Sequence, residues 1–506
     1  MRMGVVAHSG CWASGDRRAV IVTSYCTGAP NGKNVGVPGY SYDFVVQLFA
    51  PLIKSWGKLL VVSREELPQA VAQMRARGYT PVHLSFLPLQ DVCFADDAPN
   101  IVVPAWEYPD VPNHVFDGNP QNNWVETARR CDALVVGGPF TVDAFQRAGV
   151  RTPIQIVQVP TPDAYFQIPL WRSDVVTTIN CCGLTFRTPT VWDGSEETAS
   201  SSGGPRSSRF SLKSIRKALC AAYRRSLKRT PLHRFCLAAK GACDGGLTAW
   251  RAARTCSDAT TATTGACSQA ELSGVVYTSI FNPPDYRKNW GDLLTGFLWA
   301  LRDCEDATLV LKVIDPNWVG RVYEGYRRSG IPHRCKVVVV GDFLTEEQLL
   351  ELARATTYYV TTTRAEGNCL PLLNYLAAGR PGISPCHTAI GDYFDRDVGF
   401  VVDSHPEPTA FPHDSRFRKT TTWHRLVWTS LVEEIRRSYE MAKYDRAAYD
   451  RLARRAREKM RGWNSMESVG PRLWEALDSV VSTEDVGENA AIPQEDDCRR
   501  DLAAAA

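Results

Sequence analysis

Glu366-Gly367-Asn368-Cys369-Leu370-Pro371 joins the end of a β-branched run, Tyr358 to Thr363, to a helical stretch, Leu372 to Ala378. Gly367 permits close approach of a ligand to the backbone, and Pro371 suits a first helical turn, where its missing N–H costs nothing. The amides of that turn, with the positive end of the helix dipole, favour a phosphate or a network of sugar hydroxyls. Glu366 is the acidic group best placed beside such a ligand, although an acid at a helix start also serves simply to complement the dipole. A second polar set, Tyr277 to Asn289, carries Arg287 and Lys288 onto a loop after a strand. Read from the residues alone, they are an exposed Arg-Lys pair on a loop.

Residues of this kind need rigid elements behind them. Val337 to Val340, Glu346 to Ala355 and Tyr358 to Thr363 read as strand, helix and strand, the alternation of a parallel sheet. The same rhythm runs upstream through strand Val275 to Ile280, helix Trp290 to Arg302, strand Ala307 to Ile314 and helix Val319 to Gly330. Helices are expected downstream over Trp423 to Ala442 and Arg446 to Met460. The first part of the chain repeats the pattern, with strands at Val20 to Tyr25, Leu59 to Val62, Pro81 to Leu84, Asn100 to Val103, Ala133 to Val136 and Ile154 to Val159. The expected fold is α/β: two Rossmann-like, doubly wound domains facing a cleft, with ligands at the C-terminal ends of the strands. The expected division is a first domain over 1–170, a linker with a basic insertion over 171–272, a second domain with closing helices over 273–478, and a disordered tail over 479–506.

At 506 residues the chain exceeds one ordinary core. It holds no run of the ~18 apolar residues that a membrane span requires, and its start lacks a basic segment followed by an apolar signal core. A cytoplasmic protein is expected. The 16 cysteines form no CxxC pair and no Cys/His cluster at zinc spacing, which argues for reduced thiols and against a structural metal. Charge is unevenly spread. Between Arg206 and Arg254 there are 13 Lys or Arg and a single acid, Asp244, so +12 is concentrated there and the remainder of a chain totalling +3 carries −9. Leu212, Ile215, Leu219, Tyr223 and Leu227 recur at helical spacing among these cations. Such a helix either lies on an anionic membrane surface or is a solvated linker; no nucleic-acid-reading motif accompanies it.

On these residues the second half resembles the retaining glycosyltransferases of the GT-B fold, whose pattern is E-G-x-G-L-P with a second Glu eight residues after the first, then a small-residue helix end and G-x-P-V-I. Glu366 to Pro371 and Ala377-Ala378-Gly379-Arg380-Pro381-Gly382-Ile383 follow it, with Asn374 at the second acidic position. The resemblance implies that Glu366 orients the donor sugar and stabilises oxocarbenium-like charge, that Gly367, Asn368, Cys369 and Leu370 line the donor, and that Asn374 stands where the family holds the ribose. It also implies a diphosphate contact for Lys288; Asn282 occupies the usual Arg position and Arg287 is the nearby substitute. In the first half, Gly36-Val37-Pro38-Gly39-Tyr40 resembles the family's glycine-rich loop, with Gly39 near the donor phosphates, and Trp106-Glu107-Tyr108-Pro109 falls at the acceptor side. The resemblance covers most of 20–170 and 273–475. It implies a metal-independent transferase taking a nucleotide-diphosphate sugar as substrate, without a cofactor, and a glycan or lipid-linked acceptor.

The remaining candidates each carry a plain alternative. His83 follows the resemblance as a contact to sugar, or is a core or surface histidine. His114 and His387 are lesser candidates. Trp106 and Glu107 shape an acceptor pocket or merely pack. Asp395-Arg396-Asp397 has the spacing of an acidic metal pair, without a supporting ligand set. Rival readings are another GT-B enzyme, such as a nucleotide-sugar epimerase or a phosphorylase, and a non-catalytic scaffold, which the departures at Asn282 and Asn374 favour.

Overall fold

The computed structural model describes residues 17–25, 40–174, 176–186, 265–341 and 343–481. Gly39, the basic stretch 206–254 and the expected tail beyond 481 lie outside these residues. Among the described residues no helix is long and apolar enough to cross a membrane.

The first half forms a parallel sheet from β1 (Arg18–Thr23), β2 (Lys58–Val62), β3 (Thr80–Ser85), β4 (Asn100–Val102), β5 (Ala133–Val136) and β6 (Ile154–Ile156), in the order β2-β1-β3-β4-β5-β6. Val20 pairs with Leu59 on one side and Val82 on the other. Helices α1 (Tyr40–Trp56), α2 (Leu67–Ala76), α3 (Trp124–Ala128) and α4 (Pro139–Arg147) supply the crossovers. Because helices cover both faces, the inner strands are apolar throughout; Ala133–Val136 is buried at every position.

A short helix, α5 (Asp163–Phe166), and the strand β7 (Thr177–Phe186) lead into the second half. There β8 (Gly265–Leu272), β9 (Val275–Phe281), β10 (Ala307–Val313), β11 (Lys336–Val340), β12 (Tyr358–Val360), β13 (Gly382–Pro385) and β14 (Gly399–Val402) complete an eight-stranded sheet, ordered β14-β13-β12-β9-β10-β11-β7-β8. The six strands from β14 to β11 are parallel, while β7 and β8 add antiparallel pairings at the opposite edge. These two strands fall in the stretch read as linker, so the sheet of the second domain begins before the insertion and resumes after it. The helices between strands are α6 (Trp290–Ala300), α7 (Val319–Ser329), α8 (Glu346–Ala355) and α9 (Leu370–Ala377).

After β14 the chain departs from the expected pattern. Instead of one helix from Trp423, it forms an antiparallel hairpin, β15 (Ser404–Thr409) with β16 (Thr421–Leu426), and helix α10 starts only at Trp428 (Trp428–Tyr444). Trp423 to Leu426 are therefore strand, because their partners across the ladder, Ser404 to Glu407, hold them extended. Two further helices follow, α11 (Arg446–Asn464) and α12 (Met466–Asp478). The last of these returns to the first half, where Val469, Leu473, Ala476 and Leu477 join Val46, Phe49 and Ile53 of α1 in one core. Trp474 Nε1 donates to the Leu52 carbonyl at 3.0 Å, and Trp56 Nε1 to Asp478 at 2.9 Å. The chain thus crosses between the halves twice, after β6 and again to reach α12.

Candidate active site

In the second sheet, β9 and β12 are neighbours although two strands, β10 and β11, separate them in sequence order, which makes the gap between them the topological switch point. The crevice beyond the C-terminal ends of the strands at such a point is where open α/β sheets bind ligands. The loop after β9 carries Asp285, Arg287 and Lys288, and the loop after β12 carries Thr361 to Glu366. Hydrogen bonds fix one loop on the other. Arg364 N donates to the Arg287 carbonyl at 2.7 Å, Thr363 Oγ1 to the same carbonyl at 3.2 Å, and Thr362 Oγ1 to the Lys288 and Asn289 carbonyls at 3.2 and 3.0 Å.

Lys288 Nζ lies 2.5 Å from Glu366 Oε1. Glu366 is 5% exposed, and its own backbone N–H donates to Thr388 Oγ1 at 3.0 Å, so the residue is held through its main chain as well as through its carboxylate. Arg287 is pinned by three acceptors: Glu107 of the first half at 2.9 Å, Asp285 at 2.8 Å and the Ala365 carbonyl at 3.1 Å. Burial works to lower the pKa of both cations, but the surrounding carboxylates outweigh it. Glu366 and Asp285 hold Lys288 above its usual range, and Glu107 and Asp285 do the same for Arg287. Burial also pushes the Glu107 carboxyl up, against the pull of Arg287. Two cations and three carboxylates therefore share one enclosed site. An incoming anion finds its cationic partners oriented but already engaged.

The segment Gly367 to Cys369 runs against the first half. A Cβ on Gly367 would meet the Trp106 carbonyl oxygen at 3.0 Å, so only glycine fits without displacement. Gly137 and Gly138 face Asn368 and Asp392 in the same tight manner. Cys369 adopts a left-handed conformation, φ 55°, and burial pushes its thiol up to about 12, with the Glu366 charge adding to it. Helix α9 begins at Leu370, with Pro371 in its first turn and no side-chain cap. Leu370 packs against both the first-half core and the core around α9. Asn374, one turn further, accepts a hydrogen bond from Thr161 Oγ1 at 3.2 Å. Asn282 is half-buried, and its Oδ1 has no hydrogen-bond partner.

Several expected residues are not brought to Glu366. His83 is fully buried inside β3, one ring nitrogen bonded to Thr23 Oγ1 and the other to Asn100 Oδ1, both at 2.9 Å. Both nitrogens are engaged within the first-half core and burial lowers its pKa, so the expected sugar contact is corrected to that of a satisfied core histidine. His114 is exposed and meets Arg416 at 3.2 Å. His387 bonds Ser404 Oγ at 2.8 Å and stacks on His424 with ring centroids 4.1 Å apart; burial, then the neighbouring His424, pushes its pKa down to about 3. It anchors the hairpin as a neutral ring. Asp395 is engaged by Lys459 at 2.7 Å and by the Asp397 N–H at 2.9 Å. Among the described residues no three His, Cys, Asp or Glu are grouped to hold a metal ion.

The hairpin itself was not foreseen. Its connecting loop reaches the first half, where Phe411 and His413 enter an aromatic cluster with Trp106, Phe116 and Trp124. Ser415 Oγ donates to Asp117 at 2.7 Å and Thr421 Oγ1 to Asp110 at 3.0 Å. At its base, Arg364 stacks over Trp423 and the His424 N–H donates to the Arg364 carbonyl. The strap thus ties Trp106, next to Gly367, to the loop that carries Glu366. Asp285 was also missed, although an Asp two residues before a basic pair is a recognisable turn former that bonds its own backbone.

No family model matches the sequence, and no curated protein sequence matches it. Solved structures do resemble it. Sucrose-phosphate synthase from Thermosynechococcus elongatus aligns over 91% of this chain and 98% of its own, with a TM-score of 0.50 and 12% identity. Anabaena HepE, in complex with UDP and glucose, aligns over 92% and 100% with a TM-score of 0.48 and 12% identity. The lipopolysaccharide outer core galactosyltransferase WaaB aligns over 92% and 100% with a TM-score of 0.47 and 11% identity. At such identities the likeness concerns the fold, and the fold is GT-B: two Rossmann-like domains around one cleft.

Proposed function

We propose that this protein is a glycosyltransferase that moves a sugar from a nucleotide-diphosphate sugar to a glycan or lipid-linked acceptor with retention of configuration. The observation that carries the reading is the Lys288–Glu366 pair at the switch point of the second sheet, with Arg287 beside it. In this reading the donor diphosphate takes over Lys288 and Arg287 from Glu366 and Glu107, and the first-turn amides of α9 add to its field. Glu366, released from Lys288, turns to the sugar. Negative charge that builds on the departing nucleotide is met by fixed cations rather than by a metal ion, which is the preorganised electrostatic contribution that such a step requires. Incoming hydroxyl and leaving phosphate share one face, and a phosphate oxygen takes the proton. Gly39, Trp106 and Glu107 would border donor and acceptor from the first half, and Asn374 would reach the ribose after parting from Thr161. The enzyme would work in the cytoplasm, with residues 206–254 holding it on an anionic membrane near its acceptor. Unchanged vesicle binding after deletion of that stretch would remove this last element.

A non-catalytic GT-B protein is the second reading, favoured by Asn282 and by the hydrogen bond that occupies Asn374. Thermal stabilisation and slow donor hydrolysis, measured across uridine, guanosine and adenosine diphosphate sugars with and without EDTA, separate the two. EDTA-insensitive stabilisation with released nucleotide supports the transferase; absence of both for every donor supports the second reading.

A further inference from the structure

The second domain carries a recess of about 170 Å³ walled by α10, α11 and the start of β14. Gly399 and Phe400, which border it, are the first residues of β14. The candidate active site is built on the C-terminal ends of parallel strands, so this recess opens at the other end of the sheet. Four arginines line it: Arg396, Arg437, Arg451 and Arg455, around an apolar floor that includes Phe400 and Leu452.

The charges do not cancel. Arg396 and Arg437 share one carboxylate, Glu434, at 3.3 and 2.9 Å, and the Glu434 side chain is 7% exposed. A buried acid thus orients two guanidinium groups and leaves most of their donors unused. Arg455 makes a loose, exposed pairing with Asp397 at 3.8 Å, of a kind worth little in water, and the nearby Asp395 is already taken by Lys459 at 2.7 Å. Arg451 lies four residues before Arg455, on the same side of α11, where like charges repel. Four guanidinium groups against two carboxylates leave an excess of +2 at one recess. Arginine is the residue suited to bidentate phosphate contacts, and a cluster of this kind is relieved of its repulsion when an anion enters.

We propose that this recess is a binding site for a phosphate or diphosphate group, separate from the interdomain cleft. The ligand is either a soluble phosphorylated compound or the headgroup of an anionic lipid; the apolar floor accepts the first carbons next to the phosphate in either case.

The test is residue-resolved, so that occupation of the cleft does not confuse it. The full chain is modified with phenylglyoxal, with and without millimolar pyrophosphate, and each arginine is followed by mass spectrometry. Protection is expected at Arg396, Arg437, Arg451 and Arg455, while Arg436 and Arg454, exposed on the same two helices but outside the recess, serve as controls. Equal protection of recess and control arginines, or the same pattern with chloride at matched ionic strength, overturns the proposal. A Arg451→Gln/Arg455→Gln variant, changed only at exposed positions, should weaken pyrophosphate protection at Arg396 and Arg437 by about tenfold or more, the loss expected for charged contacts. Unchanged protection in that variant also overturns it. Phosphatidylcholine vesicles with and without phosphatidic acid identify the source: co-sedimentation that the double variant loses marks a lipid headgroup, and pyrophosphate protection without co-sedimentation marks a soluble ligand.

Discussion

Glu366 and Lys288 were legible because each stands in a local pattern, an acid before a glycine and a helix, and a cation on a loop after a strand. Their partners were not legible: Glu107 reaches Arg287 from the other half of the chain, and no spacing within one loop reports that contact. The pairing sharpens how the residues should be tested. Glu366→Ala would leave the Lys288 ammonium with its carboxylate removed in a largely enclosed site, so stability and activity would fall together. Glu366→Gln keeps the shape and a hydrogen bond but removes the charge. It should lower donor turnover by about 100-fold or more while the melting temperature stays near that of the parent, as measured by nucleotide release and thermal unfolding. Arg287 makes an opposite prediction. In Glu107→Gln it keeps Asp285 and the Ala365 carbonyl but loses a full charge that a diphosphate must displace. Titration calorimetry should show the UDP dissociation constant falling several-fold in Glu107→Gln and rising by about tenfold in Lys288→Ala, the change expected from one charge-assisted contact. A weaker affinity in the Glu107 variant would mean that the carboxylate assists the donor site and does not compete for its cation.

At the scale of elements, the β15–β16 strap is the feature that links the halves beside the site, and Phe411 is its anchor. It is 4% exposed, with ring centroids 5.5 Å from Trp106 and 6.2 Å from Tyr108. Truncating a buried Phe costs about 3–5 kcal/mol when the cavity does not collapse. Phe411→Ala should therefore lower the melting temperature by several degrees, and because Trp106 abuts Gly367 it should also weaken donor binding. A stability loss with donor affinity intact would confine the strap to a structural role. The strap escaped the reading for a physical reason. Its strands contain Pro406, Pro408 and exposed polar residues, and they pair only with each other, so neither strand shows the apolar alternation of a half-buried sheet. The parallel strands were easy to see because both faces are covered, which makes them continuous apolar runs; all seven residues of β10 are buried. That same regularity hid the true place of His83. A histidine at a strand position in an α/β domain reads as reaching the cleft, whereas Thr23 and Asn100 on the neighbouring strands supply both hydrogen bonds it needs to stay inside.

At the scale of the whole molecule, titrating carboxylates answer to pH in opposite directions, and Asp392, which bridges the two halves, is the one that can be isolated. This second-half carboxylate accepts from the Phe140 N–H at 3.2 Å, near the start of first-half helix α4, with Gly138 pressed against it. Burial, with a smaller push from Asp143, raises its pKa from 3.8 to about 6, although the Phe140 N–H draws it down. The sign follows from proton counting. Between those two values the closed, folded protein binds more protons at this site than the unfolded chain does, so the contribution of Asp392 to stability is full below about pH 4 and is lost as the pH rises through about 6. Asp306, Asp395 and Asp414, whose pKa values are held low, contribute in the opposite sense, so the wild-type pH profile alone does not reveal the effect. Comparison with Asp392→Asn does, because asparagine keeps an acceptor for Phe140 and cannot titrate. The melting temperature of the variant minus that of the wild type should climb between about pH 4 and pH 6 and then level off. A difference that stays flat across the range would mean that the Asp392 carboxyl is solvated, and that the two halves stand further apart in solution than the Gly138 contact requires.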